Sequence, residues 1–149
     1  MRLNTNRYLM YKLIAALSVA FFGFILWIIY LANTGQKSVF FDLVAAIPHG
    51  DKVGHVVLFG TLTLFANMTC RFRGLDLARI RLPNRNLYWG TLAVWAFVTL
   101  EEGSQHFVEN RTLDGLDYVA DMIGIVLATL LSVQLQRKAE KAGWLQPQS

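Results

Sequence analysis

The stretch that decides the fold is EEGSQHFVENRTLDGLDYVADMIG, from Glu101 to Gly124. It carries six acidic residues, one arginine and one histidine, and it lies between two strongly apolar stretches. If these charges lie in water, the segment is an ordinary polar loop. If they lie within a bilayer, they must turn inward and meet one another, because lipid offers a carboxylate no hydrogen bond.

The composition of the chain is that of a membrane protein with several spans. Of its 149 residues, 54% are hydrophobic and only 16% are charged, and the mean hydropathy is +0.39. A soluble domain of this length would leave much of that apolar surface uncovered. The single cysteine, Cys70, excludes an internal disulfide and a cysteine-based metal cluster. The net charge of +4 is not spread over a soluble surface, and we expect no nucleic-acid partner.

Four apolar stretches predict an all-α membrane protein, with four transmembrane helices in a bundle. We place the spans at about 11–31, 53–70, 87–106 and 117–135, within one membrane domain of residues 1–149. The first stretch is long enough to cross roughly 30 Å of hydrocarbon. A secretory signal is the alternative for it, but its apolar core exceeds the usual ~7–15 residues and no clear cleavage site follows. We therefore expect an uncleaved span.

The basic residues predict which ends of the spans face the cytoplasm. Three precede the first span, five lie between the second and third, and three follow the fourth, so 11 of the 14 Lys and Arg fall on one side. These are Arg2, Arg7, Lys12, Arg71, Arg73, Arg79, Arg81, Arg85, Arg137, Lys138 and Lys141. The other two connections hold only Lys37, Lys52 and Arg111. Because loops rich in Lys and Arg stay inside, we expect both termini to be cytoplasmic.

Length places the polar residues of the opening stretch within the bilayer. The third apolar run, 87–100, has only 14 residues, so a helix of about 20 must continue through Glu101, Glu102, Gly103, Ser104 and Gln105. The fourth span reaches about 18 residues only by including Asp121, and Asp117 stands at its outer end. Three helix ends are therefore expected to carry polar residues into the outer half of the bilayer.

Helical spacing predicts that these polar residues share faces. Asp51, His55 and Phe59 recur every four residues, and Glu102 and Gln105 are three apart. We expect the stripes to turn away from lipid and meet at one point.

The fourth span contributes a further stripe. Asp117, Asp121, Gly124 and Ala128 lie on one helical face, and the two small residues allow a neighbouring helix to approach closely. Upstream, the segment FFDL at 40–43 is expected to dip into the membrane interface or to cover the polar residues.

The motifs DKVGHVVLFG, EGSQ and RTLDGLDYVADMIG resemble the signature of the VanZ-like family of small bacterial membrane proteins, over about 51–135. The positions that match the family's motif residues are Asp51, Lys52, His55, Phe59, Glu102, Gln105, Arg111, Asp117 and Gly124. Asp121 stands where the family usually has Asn, which adds a titratable group. The resemblance implies a cell-envelope location, as a multi-pass protein of a bacterial cytoplasmic membrane. It also implies a link with glycopeptide-antibiotic resistance, through the member that gave the family its name, while the family's biochemical activity is generally unassigned.

Eight polar residues form the predicted ligand site: Asp51, Lys52, His55, Glu102, Gln105, Arg111, Asp117 and Asp121. Arg111 has a planar fork that suits carboxylate or phosphate, and Lys52 can help to hold a lipid phosphate. We expect Arg111 to meet carboxylate partners, Asp117 among them. The predicted ligand is an anionic membrane lipid or a lipid-linked envelope precursor, bound without a cofactor. A membrane-protein partner is a further option.

Other interpretations stay open. The protein can be an intramembrane enzyme acting on a lipid-linked substrate, with His55 or Glu102 as general base and Asp117 as a third catalytic candidate. The polar groups can instead only fasten the helices together, or serve ion or proton transport. A metal site from His55, His106 and Glu102 has suitable residue types, but three ligands on unknown helix phases are weak evidence, and we predict no metal.

Overall fold

The computed structural model describes residues 2–36, 38–76, 86–109, 111 and 114–145, with the backbone alone for residues 2–4, 40, 76 and 86. Over these ranges the chain is mostly helical. The elements in chain order are α1 (Arg2–Asn33), α2 (Val39–Ala45), α3 (Gly50–Thr69), β1 (Gly74–Asp76), β2 (Asn86–Tyr88), α4 (Trp89–Gln105) and α5 (Gly115–Lys141). Four of the basic residues used to predict the orientation lie outside the described residues: Lys37, Arg79, Arg81 and Arg85.

Each predicted span falls largely within one of the four longest described helices, α1, α3, α4 and α5. Between α3 and α4, β1 and β2 pair in antiparallel fashion, with Gly74 opposite Tyr88. This small ribbon brings the end of α3 beside the start of α4.

Local sequence sets both ends of α5. Asp114 is its N-cap, and the Asp114 side chain accepts a hydrogen bond of 2.9 Å from the Leu116 N–H. At the other end, Gly143 has a φ of 71° and donates to the Glu140 carbonyl, while the Trp144 N–H donates to the Ala139 carbonyl. This pair of hydrogen bonds is a Schellman motif, and it needs the left-handed backbone that glycine adopts readily.

Helix α3 lies at the centre and contacts α1, α4 and α5. Its closest neighbour is α5, because Gly60 and Gly124 bring the two backbones together. A Cβ atom added to Gly124 would lie only 2.4 Å from the Val56 carbonyl oxygen, and one added to Gly60 would lie 3.2 Å from the Gly124 oxygen. The predicted close approach at Gly124 and the buried Ala128 are therefore confirmed.

The centre of the bundle is apolar, and a neutral hydrogen-bond network lies toward the ribbon. The apolar core consists of Ile25, Phe59, Leu62, Val94, Val98 and Ile125. In the network, the Asn67 amide donates to the hydroxyls of Thr91 and Ser132, each at 3.0 Å. All three side chains are buried, so this network ties α3, α4 and α5 together without a buried charge.

Two helical segments, Thr5–Asn33 and Gly115–Lys141, are long and apolar enough to cross a membrane. Both also carry large apolar side chains on exposed faces, such as Val19 and Trp27 in α1 and Leu130 in α5. Soluble monomers rarely expose wide apolar surfaces of this kind. These two helices therefore indicate association with a membrane.

Basic residues from the start of α1 and from the segment after α3 lie at one end of the bundle. The Arg7 guanidinium lies 5.8 Å from the centre of the Trp144 ring, and the Arg71 guanidinium lies 4.4 Å from the centre of the Tyr11 ring. The start of α1, the segment after α3 and the end of α5 are thus close together. The charged residues of the predicted ligand site lie at the opposite end of the bundle.

Candidate functional site

Lys52, in the first turn of α3, lies among three carboxylates. Its Nζ atom is 2.5 Å from Asp114 Oδ2 and 3.2 Å from Asp51 Oδ2, and it also bonds Asp117 Oδ1. The Asp51 side chain is 63% exposed, so it lies on the rim of the site, whereas Asp117 is mostly buried. Lys52 therefore ties the start of α3 to the start of α5.

His55, one turn further along α3, pairs with a buried carboxylate. Its Nδ1 atom lies 2.8 Å from Asp121 Oδ1, and its Nε2 atom lies 3.8 Å from Asp117 Oδ2. Asp121 has no exposed surface at all. The Asp121 carboxylate fixes the orientation of the imidazole ring, as a buried acidic partner commonly does for a functional histidine.

The end of α4 supplies a second acidic group. Glu101, Glu102 and Gln105 are all buried. The Gln105 amide donates to Glu101 Oε2 at 3.0 Å and to Glu102 Oε1 at 3.1 Å. Arg111 Nη2 lies 3.6 Å from Glu101 Oε1, so the connection after α4 folds back onto that helix.

These groups border a cavity of about 410 Å³. One wall is apolar and comes from α1 and α2: Ile25, Ile28, Ile29, Ala32, Phe41 and Val44. The other wall comes from α3, α4, the connection after α4 and the start of α5, and besides Gly54, Leu58 and Phe59 it carries Asp51, Lys52, His55, Glu101, Gln105, Arg111, Asp114 and Asp117. The cavity is therefore amphipathic, and α2, which contains the whole predicted covering segment at 40–43, forms part of its lining.

The structure brings the eight predicted site residues to one end of the bundle, but in three groups. Lys52 lies with Asp51 and Asp117, His55 lies with Asp121 and Glu102, and Arg111 lies with the glutamates and Gln105 of α4.

Two contacts expected from the sequence are not found between the described residues. Arg111 pairs with Glu101 and not with Asp117, because Lys52 already binds Asp117. His106 does not join His55 and Glu102, because α4 ends at Gln105 and His106 is exposed.

Two residues outside the eight of the predicted ligand site also belong to the site in the structure. Glu101 shares the Gln105 amide with Glu102, and Asp114 binds Lys52. Each had a signal in the sequence. Glu101 is one helical turn before Gln105, and Asp114 stands three residues before Asp117, as an N-cap stands before the acidic residue of a capping box.

Fold and site together define a mostly helical protein with two helices able to cross a membrane and a charged cavity at one end. A scan against protein-family models finds no match, and searches of curated proteins and of solved structures also find none. The resemblance to the VanZ-like family therefore depends on the motif residues alone.

Proposed function

We propose that this chain is a VanZ-like integral membrane protein of the bacterial cell envelope, which binds an anionic lipid or a lipid-linked envelope precursor. In this proposal α1, α3, α4 and α5 all span the bilayer, and both termini are cytoplasmic. The observation that carries the proposal is the amphipathic cavity, with an apolar wall from α1 and α2 facing a charged wall from α3, α4 and the start of α5.

The separation of charge supports the orientation. The basic residues Arg7 and Arg71 lie at one end of the bundle, and the acidic cavity lies at the other. Under the positive-inside rule, the basic end faces the cytoplasm and the cavity opens toward the outer leaflet. The 17 residues of α4 make a helix about 26 Å long. This is only slightly less than the hydrocarbon thickness, and local thinning of the bilayer offsets such a difference at modest cost.

The two walls suit the two parts of a lipid. The apolar side chains of α1 and α2 can contact acyl or polyprenyl chains, while the headgroup meets the charged wall. Arg111 is the best phosphate ligand, because its distance of 3.6 Å to Glu101 is longer than the ~2.7–2.9 Å of a tight charge-assisted hydrogen bond. The Arg111 guanidinium can therefore turn toward a phosphate, whereas Lys52 is already surrounded by three carboxylates.

An intramembrane enzyme is the second candidate function, and the pairing of His55 with Asp121 favours it. A buried carboxylate that orients one imidazole nitrogen leaves the other for general base catalysis. His55 lines the cavity, whereas Glu102 does not, so His55 is the better base of the two. Asp117 Oδ2 lies 3.8 Å from the second nitrogen, so its carboxylate would stabilise the imidazolium that forms when His55 takes a proton.

Retained lipid tests the binding proposal. We expect protein purified from bacterial membranes in mild detergent to keep an anionic or lipid-linked molecule, measured by native mass spectrometry and by extraction. The Arg111→Gln variant should retain at least tenfold less, because a hydrogen bond to a charged group contributes about 1.5–3 kcal/mol. Arg137→Gln, at the basic end of α5, is the matched control and should retain as much as wild type. Equal lipid content in wild type and Arg111→Gln would contradict the proposal.

A further inference from the structure

Behind the charged wall of the cavity, three side chains from three helices converge. His55 of α3, Glu102 of α4 and Asp121 of α5 each offer one ligand atom, and these atoms all lie within 4.8 Å of one another. We refer to these three residues as the triad. Glu102 is 5% exposed and Asp121 is fully buried, while His55 lines the cavity and gives access from it.

Each carboxylate of the triad has one oxygen in a hydrogen bond and one without. Glu102 Oε1 accepts from Gln105, and Asp121 Oδ1 bonds His55. Glu102 Oε2 and Asp121 Oδ2 are buried and have no hydrogen-bond partner among the residues that the structure describes. A buried carboxylate oxygen without a partner is costly, and native proteins rarely contain one unless an ion, a water or a proton satisfies it. Two of them in one cluster point to a ligand of positive charge.

The excess of carboxylates in the whole site also favours a ligand of positive charge. Six carboxylates line the cavity or belong to the triad, from Asp51, Glu101, Glu102, Asp114, Asp117 and Asp121, and the lysine and arginine of the cavity lining are Lys52 and Arg111. Lys52 bonds Asp51, Asp114 and Asp117, and Arg111 lies beside Glu101. In the part of the chain that the structure describes, neither carboxylate of the triad forms an ion pair with Lys52 or Arg111.

We propose that the triad binds one divalent transition-metal ion, with Zn²⁺ as the favoured ion. Imidazole nitrogen and carboxylate oxygen are ligands that Zn²⁺ accepts, and three protein ligands leave a fourth position open, as they do in catalytic zinc sites. Ligand atoms around one Zn²⁺ lie about 3.4 Å apart, so small side-chain rotations would close the cluster on the ion. Gln105 then orients Glu102 from the second shell. The proposal stands apart from lipid binding, since it uses the buried carboxylates and not Arg111.

The direct test is metal content and affinity in folded protein that carries no histidine tag. After treatment with EDTA and its removal, ZnCl₂ is titrated by calorimetry and unfolding is followed with and without Zn²⁺. We expect wild type to bind one Zn²⁺ per chain and to unfold at a higher temperature when it is bound. Glu102→Gln and Asp121→Asn keep the side-chain shapes and should each weaken Zn²⁺ binding at least tenfold. Glu109→Gln, which changes an exposed glutamate, is the matched control and should bind as wild type.

Two results would overturn the proposal. If folded wild type binds no Zn²⁺ and no Mn²⁺, the two buried oxygens are satisfied by protons or by water, and the triad is not a metal site. If Zn²⁺ binds with unchanged affinity to both variants, the ion lies elsewhere. The wild-type stoichiometry alone decides the first question, so the test holds even where one variant fails to fold.

Discussion

Single residues decide how the charges of the site are neutralised. Asp114 has two roles, because it caps α5 through the Leu116 N–H and also binds Lys52. The hydrogen bond from Lys52, followed by the one from the Leu116 N–H, lowers the pKa of the Asp114 carboxyl below its ordinary value of 3.8. A group whose pKa is lowered by folding stabilises the folded state while it is ionised.

The pH dependence of Asp114 can therefore be predicted with its sign. Its stabilising effect is present above about pH 4 and is lost as the pH falls through the lowered folded pKa, because the unfolded chain binds the proton first. Asp114→Asn keeps a capping side chain but removes the charge. We expect the variant to unfold at a lower temperature than wild type at pH 6–8, with the gap shrinking toward pH 3. Thermal unfolding in detergent across this range measures the gap, and a gap that stays constant with pH would contradict the pairing.

For single residues, the sequence predicts which side chains belong to the site better than it predicts which of them pair with one another. The four-residue spacing from Asp51 to His55 and from Asp117 to Asp121 places the correct side chains at one end of the bundle. The partner of Arg111 could not be predicted in the same way. It depends on how the connection after α4 folds back, and helical periodicity carries no information about a connection.

Between elements, the contact of α3 with α5 depends on the absence of side chains. A Cβ atom at Gly124 would lie 2.4 Å from a backbone oxygen of Val56, and a backbone atom cannot rotate away as the end of a side chain can. We therefore expect Gly124→Ala to lower the free energy of unfolding by about 1–3 kcal/mol, the typical cost of overpacking. Reversible unfolding in detergent measures it. Gly23→Ala is the control, because a Cβ atom at Gly23 meets nothing within 4 Å, and it should keep or slightly raise stability. Equal stability of the two variants would show that the helices can separate at no cost.

The sequence predicts the long elements and misses the short ones. The apolar runs and the small residues Gly124 and Ala128 predict the helices and the face on which α5 packs. The strands β1 and β2 could not be predicted, because three residues each are too few for a periodic pattern. The sequence predicts that the segment 40–43 of α2 lies at the membrane interface or near the polar residues. It does not predict how α2 lines the cavity, because that depends on tertiary contacts.

For the whole molecule, the two ends of the bundle differ in the kind of polar residue they hold. The end near the ribbon holds a neutral network around Asn67, with basic residues such as Arg7 and Arg71 outside it. The other end holds the charged cavity. A protein in a bilayer can hold charges at both ends only if they face water or one another, and the cavity satisfies the second condition. The cavity itself could not be predicted from the sequence, because its volume depends on how α1 and α2 lie against α3.

This asymmetry gives the last prediction, which concerns orientation in the membrane. In a Cys70→Ser background, Ala78→Cys lies in the sequence between Arg71 and Arg85, and Glu109→Cys lies after α4 at the cavity end. If the basic end faces the cytoplasm, a maleimide that cannot cross membranes should label position 109 on intact spheroplasts. It should label position 78 only after the membrane is opened, since the positive-inside rule keeps that loop inside. Labelling of position 78 from outside would reverse the orientation and turn the cavity toward the cytoplasm. The cavity would then be out of reach of outer-leaflet lipids and of precursors exposed there, so this measurement also decides which pool of ligands the cavity can bind.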